Sequence, residues 1–228
     1  MNSINPFLIS PDAIDFKEFY PNSSLLKTVY LNTNYTERLG IIRLWMTEGI
    51  PYAFKSHPLL FEEIRNFIAK LLNVDTKEVS LVGSARIGYS LSKKEWGRPF
   101  NSDSDFDFII VSNTLYGNIV KEFQNWVRDI ETRKILPKDL YEMNTWLANI
   151  QYLDKQIPKG FIQTRFIPYN INYTTIKKCY DTIWLLKKRF VVTEIVPKVS
   201  DASIRVYSNW KSCVKQMHIN FNTALDIW

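Results

Sequence analysis

Cysteine and histidine are scarce in this chain of 228 residues, which has two of each. Cys179 and Cys213 stand far apart and outside any Cys-x-x-Cys pattern. That excludes a disulfide framework and predicts two reduced thiols. His57 and His218 belong to no ligand cluster, which argues against a zinc site and against a serine-histidine triad. Long apolar runs are missing as well: no stretch approaches the roughly 18 residues that a bilayer crossing needs. The opening MNSINPFLIS has no basic region ahead of an apolar core. These absences predict a soluble, cytoplasmic protein with no membrane partner. No internal repeat or low-complexity tract is visible, so a solenoid is not expected.

What is present points to one large domain with a substantial core. Hydrophobic residues make up 46% of the chain and include seven tryptophans, which excludes general disorder. The net charge of +6 favours anionic partners such as nucleotides or RNA, although many basic proteins bind nothing anionic.

Residues 1–34 carry Pro6, Pro11 and Pro21 without a sustained period and read as an arm. Tyr35 to Glu48 reads as a helix stopped by Gly49 and Pro51, and Ser56-His57-Pro58 opens a second one with Ser56 as its cap. Val79–Val82 and Phe108–Val111 read as strands. Helical periods follow over 116–133 and from Leu140 to Ile150. Gly160–Ile167 is the expected third strand. Two helices close the chain, one along Ile176 to Phe190 and one whose stripe starts at Val206. The expected class is α/β (α+β): a small mixed sheet flanked by helices, with an N-terminal arm and helix over 1–56, a core over 57–170 and a helical portion over 171–228.

One stretch carries chemistry. Leu81-Val82 runs into Gly83-Ser84, and Ser104-Asp105-Phe106-Asp107 later enters an apolar strand. Aspartate is depleted in strands, and an unpaired buried carboxylate is costly, so two of them on a strand that continues FIIV need a reason. Residues i and i+2 of a strand share a face about 7 Å apart. Asp105 and Asp107 can therefore turn their oxygens toward a common Mg²⁺ or Mn²⁺ site while Phe106 and Phe108 pack behind. Gly83 permits a tight turn, Ser84 opens a helix whose free N–H groups favour phosphate, and Arg86 is a second phosphate contact or a solvated helix residue. The competing reading is an Asx-rich turn leading into an ordinary strand, which leaves Asp107 without an account.

Gly83-Ser84 followed by Ser104-Asp105-Phe106-Asp107-Phe108 resembles the signature of the DNA-polymerase-β-like nucleotidyltransferase superfamily. The resemblance covers about Val79 to Val111 and is interrupted by an insertion near Tyr89–Phe100. It implies that Ser84 contacts a triphosphate, that Asp105 and Asp107 hold Mg²⁺, and that a hydroxyl on RNA, protein or a small molecule accepts the nucleotide. Bacterial stand-alone members of the group often occur in toxin-antitoxin or phage-defence settings. The resemblance further implies a third acidic residue on a later strand. In Gly160–Ile167 the alternation offers Gln163, a neutral amide, in that place. Two readings stay open: an active nucleotidyltransferase, and a degenerate one that binds nucleotide, RNA or a partner protein without turnover.

Overall fold

In the computed structural model, which describes residues 9–227, the described part of the expected arm carries two helical segments, and its opening residues with Pro6 lie outside the described residues. A short turn, α1 (Pro11–Ile14), precedes α2 (Ser23–Asn32) and α3 (Tyr35–Ile41). The Asn22 side chain accepts from the Leu25 N–H, and Asn34 forms a reciprocal capping box with Glu37. Leu26, Val29 and Tyr30 then fall on one buried face of α2. Pro11 sits in the first turn of α1 and Pro21 lies before α2, so neither breaks a helix. Helix α3 widens into a π-helical stretch, Ile42–Thr47, and ends before Gly49, which takes φ 78°. The expected stop is therefore real. Helix α4 (Pro58–Leu72) begins at the expected proline, but His57 is its N-cap and makes no side-chain capping bond, so Ser56 is not the cap. Asn73, in the left-handed conformation, closes it.

The remaining elements are β1 (Val79–Val82), α5 (Ser84–Ile87), β2 (Asp105–Val111), α6 (Asn113–Glu131), α7 (Leu140–Gln156), β3 (Phe161–Gln163), α8 (Thr174–Val192), β4 (Asp201–Tyr207) and α9 (Trp210–Leu225). The strands form one mixed sheet in the order β1-β2-β4-β3. Strand β1 runs antiparallel to β2, β4 runs parallel to β2, and β3 runs antiparallel to β4 at the edge. The mixed α+β class agrees with expectation.

Two assignments do not. Only Phe161–Gln163 of the expected third strand is extended, because Thr164–Phe166 turns into a 3₁₀ segment. The strand beside β2 is instead β4, from a segment read as the approach to a helix. Its Ala202, Ile204 and Val206 alternate with Asp201, Ser203 and Arg205, a period of two that sends the first set into the core. The segment 171–228 thus supplies a central strand as well as two helices.

Helices α4, α6 and α8 cover one face of the sheet, where Phe106, Phe108, Ile110, Ile204 and Val206 meet Ile68, Trp126 and Leu186. On the other face Ile109, Val111, Phe161 and Tyr207 pack against Cys213 of α9. The same helix reaches the N-terminal layer: the Tyr30 and Phe221 rings lie 4.4 Å apart, and Tyr30 Oη is 2.7 Å from His218 Nδ1. Asp105 and Asp107 are exposed on this second face. Cys179 and Cys213 are both unpaired and buried, and burial pushes each thiol up to about 12. Among the described residues, no helix is long and apolar enough to cross a membrane.

Candidate functional site

Strand β2 separates its side chains by alternation: Phe106 and Phe108 are fully buried, whereas Asp105 and Asp107 point out of the opposite face. The sheet fixes what lies next to them. Asp105 is in register with Asp201, Asp107 with Ser203 and Ile109 with Arg205. Ser203 Oγ donates to Asp107 Oδ1 at 2.8 Å, and Ser200 Oγ donates to Asp105 Oδ1. On the β1 side Gly83 takes φ 70°, and a Cβ placed there would lie 3.4 Å from Asp107 Oδ2. The glycine is thus both a conformational need and the wall against which the carboxylate rests.

A cleft of about 360 Å³ opens over Asp107. Gly83 and Ser203 line its floor, and Met217 and Phe221 of α9 form an apolar side. Lys93, Arg165 and Arg205 also line it, so cationic side chains share the cleft with the carboxylate. Burial works against the Arg205 charge, yet the adjacent Tyr207 and Asp107 outweigh it and raise its pKa. Arg205 Nε is buried without a partner among the described residues. The insertion supplies Lys93. It is pinned by Trp96, whose ring sits 5.5 Å from Phe221, and by Phe100, stacked 6.1 Å from Phe106. Lys93 also pairs with Asp226 just past α9. The insertion is therefore a fixed wall of the cleft and not a free loop.

The expected residues separate into two groups. Gly83 and Asp107 share the cleft, with Asp105 on the same strand face. Ser84 is half-buried at the start of α5, one residue beyond the cleft wall. Arg86 is not a phosphate contact: it is 2% exposed, and its guanidinium donates to the carbonyls of Ile50 at 3.1 Å, Glu48 and Leu44. It holds the end of the π-helical stretch, and burial pulls its pKa down to about 10. Arg86→Met should leave those carbonyls without a donor, at about 1–3 kcal/mol for each that stays buried. The expected result is a lower urea midpoint with any ligand-induced stabilisation retained; loss of the latter alone would restore Arg86 to the site.

Gln163 is corrected too. It faces the same cleft, but β4 stands between β3 and β2, which puts it about two strand spacings, near 10 Å, from the aspartate strand. Its amide nitrogen is 3.4 Å from Tyr152 Oη and its backbone N–H donates to Gln156. The acidic residue actually beside the pair is Asp201, which sequence reasoning missed together with Ser203. The period-two run DASIRVY was the signal for both. Asp201 is engaged by Lys187; burial opposes its ionisation, but the Lys187 contact prevails and lowers its pKa.

The donor set suits a hard divalent cation such as Mg²⁺ or Mn²⁺, since it offers carboxylate and hydroxyl oxygens only. Among the described residues no group of three acidic, histidine or cysteine side chains converges. Asp105 and Asp107 would hold the ion and leave its other positions to water and substrate oxygens, which is the usual Mg²⁺ arrangement. Comparison of the chain with family models, curated proteins and solved structures matched none of them.

Proposed function

We propose that this chain is a Mg²⁺- or Mn²⁺-dependent nucleotidyltransferase that moves a nucleoside monophosphate from a nucleoside triphosphate to a hydroxyl acceptor. One observation carries the reading: two carboxylates that the strand could have buried are both turned out of β2, and Asp107 lines a cleft that Lys93, Arg165 and Arg205 also line. A structural turn has no need of Asp107 at that position. A bound cation would neutralise triphosphate oxygens and orient the reacting phosphorus. The chain's own residues have separate parts. Asp105 and Asp107 would hold the ion. Gly83 keeps the approach to Asp107 open. Arg205, Arg165 and Lys93 favour an anion in the cleft, and Met217 and Phe221 offer an apolar face that excludes water from one side.

A second reading has its own observation. The position opposite Asp107 on the neighbouring strand is Ser203, and the nearest additional carboxylate, Asp201, is occupied by Lys187. A proton acceptor for the attacking hydroxyl is then missing. General-base help is typically worth 10²–10⁴-fold, so its loss suits a slow enzyme or a protein that binds nucleotide without turnover.

The test is a melting experiment paired with a transfer assay. A nucleoside triphosphate with Mg²⁺ or Mn²⁺ should stabilise the fold by about 2.7 kcal/mol at a hundredfold excess over Kd. That is a shift of several degrees for a chain of this size. Incubation with each labelled triphosphate and a cell extract should place label in RNA, protein or a small molecule. Stabilisation without transfer selects the binding reading. No shift with any ribo- or deoxyribonucleotide and either metal removes both.

A further inference from the structure

The cationic side chains are not confined to the cleft. Arg165 lines the cleft with Asp107 and is exposed; it also acts on Asp201, the register neighbour of Asp105. Asp201 in turn pairs with Lys187 of α8. Three residues earlier on the same helix stands Trp184, 59% exposed, with Lys188 Nζ 5.7 Å from its ring centroid. One stripe back, Lys177 Nζ lies 5.7 Å from the ring of Tyr169, itself 54% exposed. Spacings of seven and four place Lys177, Trp184 and Lys188 on one outward stripe. The result is a lane of alternating cations and open aromatic faces along α8, joined to the aspartate strand through the Lys187–Asp201 pair beside Asp105.

Trp184 and Tyr169 each leave more than half of their surface in water, although Tyr169 also packs edge-on against Tyr180 at 5.8 Å. Aromatic platforms interleaved with cations are what an unpaired strand of nucleotides requires, since every base offers a π-face and every linkage a phosphate. A duplex keeps its bases stacked on one another and cannot use such platforms. The lane also holds acidic groups: Asp181 pairs with Lys177, Asp201 with Lys187, and Glu194 is exposed just beyond α8. Exposed or half-exposed pairs of this kind are weak and can yield to a phosphate.

We propose that this lane binds single-stranded nucleic acid and delivers the end of the strand, with its hydroxyl, to the Asp105–Asp107 face. The delivery half rests on the nucleotidyltransferase reading, whereas the binding half does not. In the transfer, the strand's hydroxyl oxygen would bond to the α-phosphorus as pyrophosphate leaves, and the hydroxyl proton would pass to solvent.

The experiment is fluorescence anisotropy of the full chain with an end-labelled RNA of about 15 nucleotides, the same sequence as single-stranded DNA, and its duplex. It uses roughly 50 and 200 mM salt and neither metal nor nucleotide triphosphate. Single strands should bind at least about tenfold more tightly than the duplex. Trp184→Ala should weaken them about fivefold to a hundredfold, the loss that one base-stacking platform produces. Lys188→Gln should lower the salt slope by about 0.7. Both side chains are exposed, so melting temperatures should not change. Preference for RNA or for DNA identifies the sugar, and either outcome keeps the proposal. Duplex binding as tight as single-strand binding, or an unchanged affinity in Trp184→Ala, overturns it. Asp105→Asn/Asp107→Asn should bind the strands at least as tightly as the parent, since without metal the two carboxylates only repel phosphates. Strands that bind but never receive label from a triphosphate and Mg²⁺ or Mn²⁺ overturn the delivery half alone.

Discussion

Changing Asp105 and Asp107 together to asparagine should lower nucleotide transfer by at least about a hundredfold, the loss that removing a single electrostatic stabiliser of a transition state can bring. It should also abolish the metal-dependent rise in melting temperature while the metal-free protein remains folded. The two effects separate because of where the residues sit. Both carboxylates are exposed on β2, so the fold has not spent burial on them. Asparagine keeps an acceptor oxygen, so the bonds from Ser200 and Ser203 can persist. What is lost is the paired negative charge, which supplies most of the attraction for a divalent cation. Two like charges held on one strand face also repel one another, so the metal-free variant should be at least as stable as its parent. Circular dichroism and melting with and without Mg²⁺ decide the matter. A variant that fails to fold would return Asp105 and Asp107 to the role of strand-entry caps.

The part of the site that was legible in the sequence is local. A glycine at a strand end and two aspartates with period two on the next strand are patterns spanning a few residues, and Gly83, Asp105 and Asp107 stand where such patterns put them. Arg86 was illegible because helix position does not reveal whether a guanidinium meets solvent or the carbonyls of a segment some 36 to 42 residues earlier. Strand order was illegible for a related reason. Strand β4 inserts between β2 and β3, a pairing of residues almost a hundred positions apart, and nothing in either segment alone records it. DASIRVY did carry its alternation, but Val206, Trp210 and Cys213 also fall at helical spacing and the longer pattern won. The N-terminal helix shows the opposite error. Prolines drew the reading toward an arm, although Asn22 and the spacing of Leu26, Val29 and Tyr30 define a capped amphipathic helix.

Phe106→Ala, one residue from each aspartate, should have the reverse profile: a loss of about 3–5 kcal/mol in stability, the range for emptying a buried phenylalanine position. Phe106 is 0% exposed, and its ring lies 5.3–6.2 Å from those of Phe54, Phe100, Phe108 and Phe190. Those partners come from the segment before α4, from the insertion, from β2 itself and from the end of α8, so a single ring ties three other parts of the chain to the strand that bears the aspartates. The methyl group of alanine cannot reach any of them, and the backbone of a central strand paired on both sides cannot move in to close the space. Typical domains have only about 5–15 kcal/mol in total, so the variant should be marginal at physiological temperature. Urea denaturation should show a lower midpoint with an unchanged slope, and the melting temperature should fall by roughly 6–20 °C at about 2–4 °C per kcal/mol. Phe106→Leu, which refills most of the volume, should recover the larger part of that loss. A Phe106→Ala protein as stable as its parent would mean that the ring cluster does not hold the insertion and α8 to β2, and the rigid support assigned to the aspartate face would fall with it.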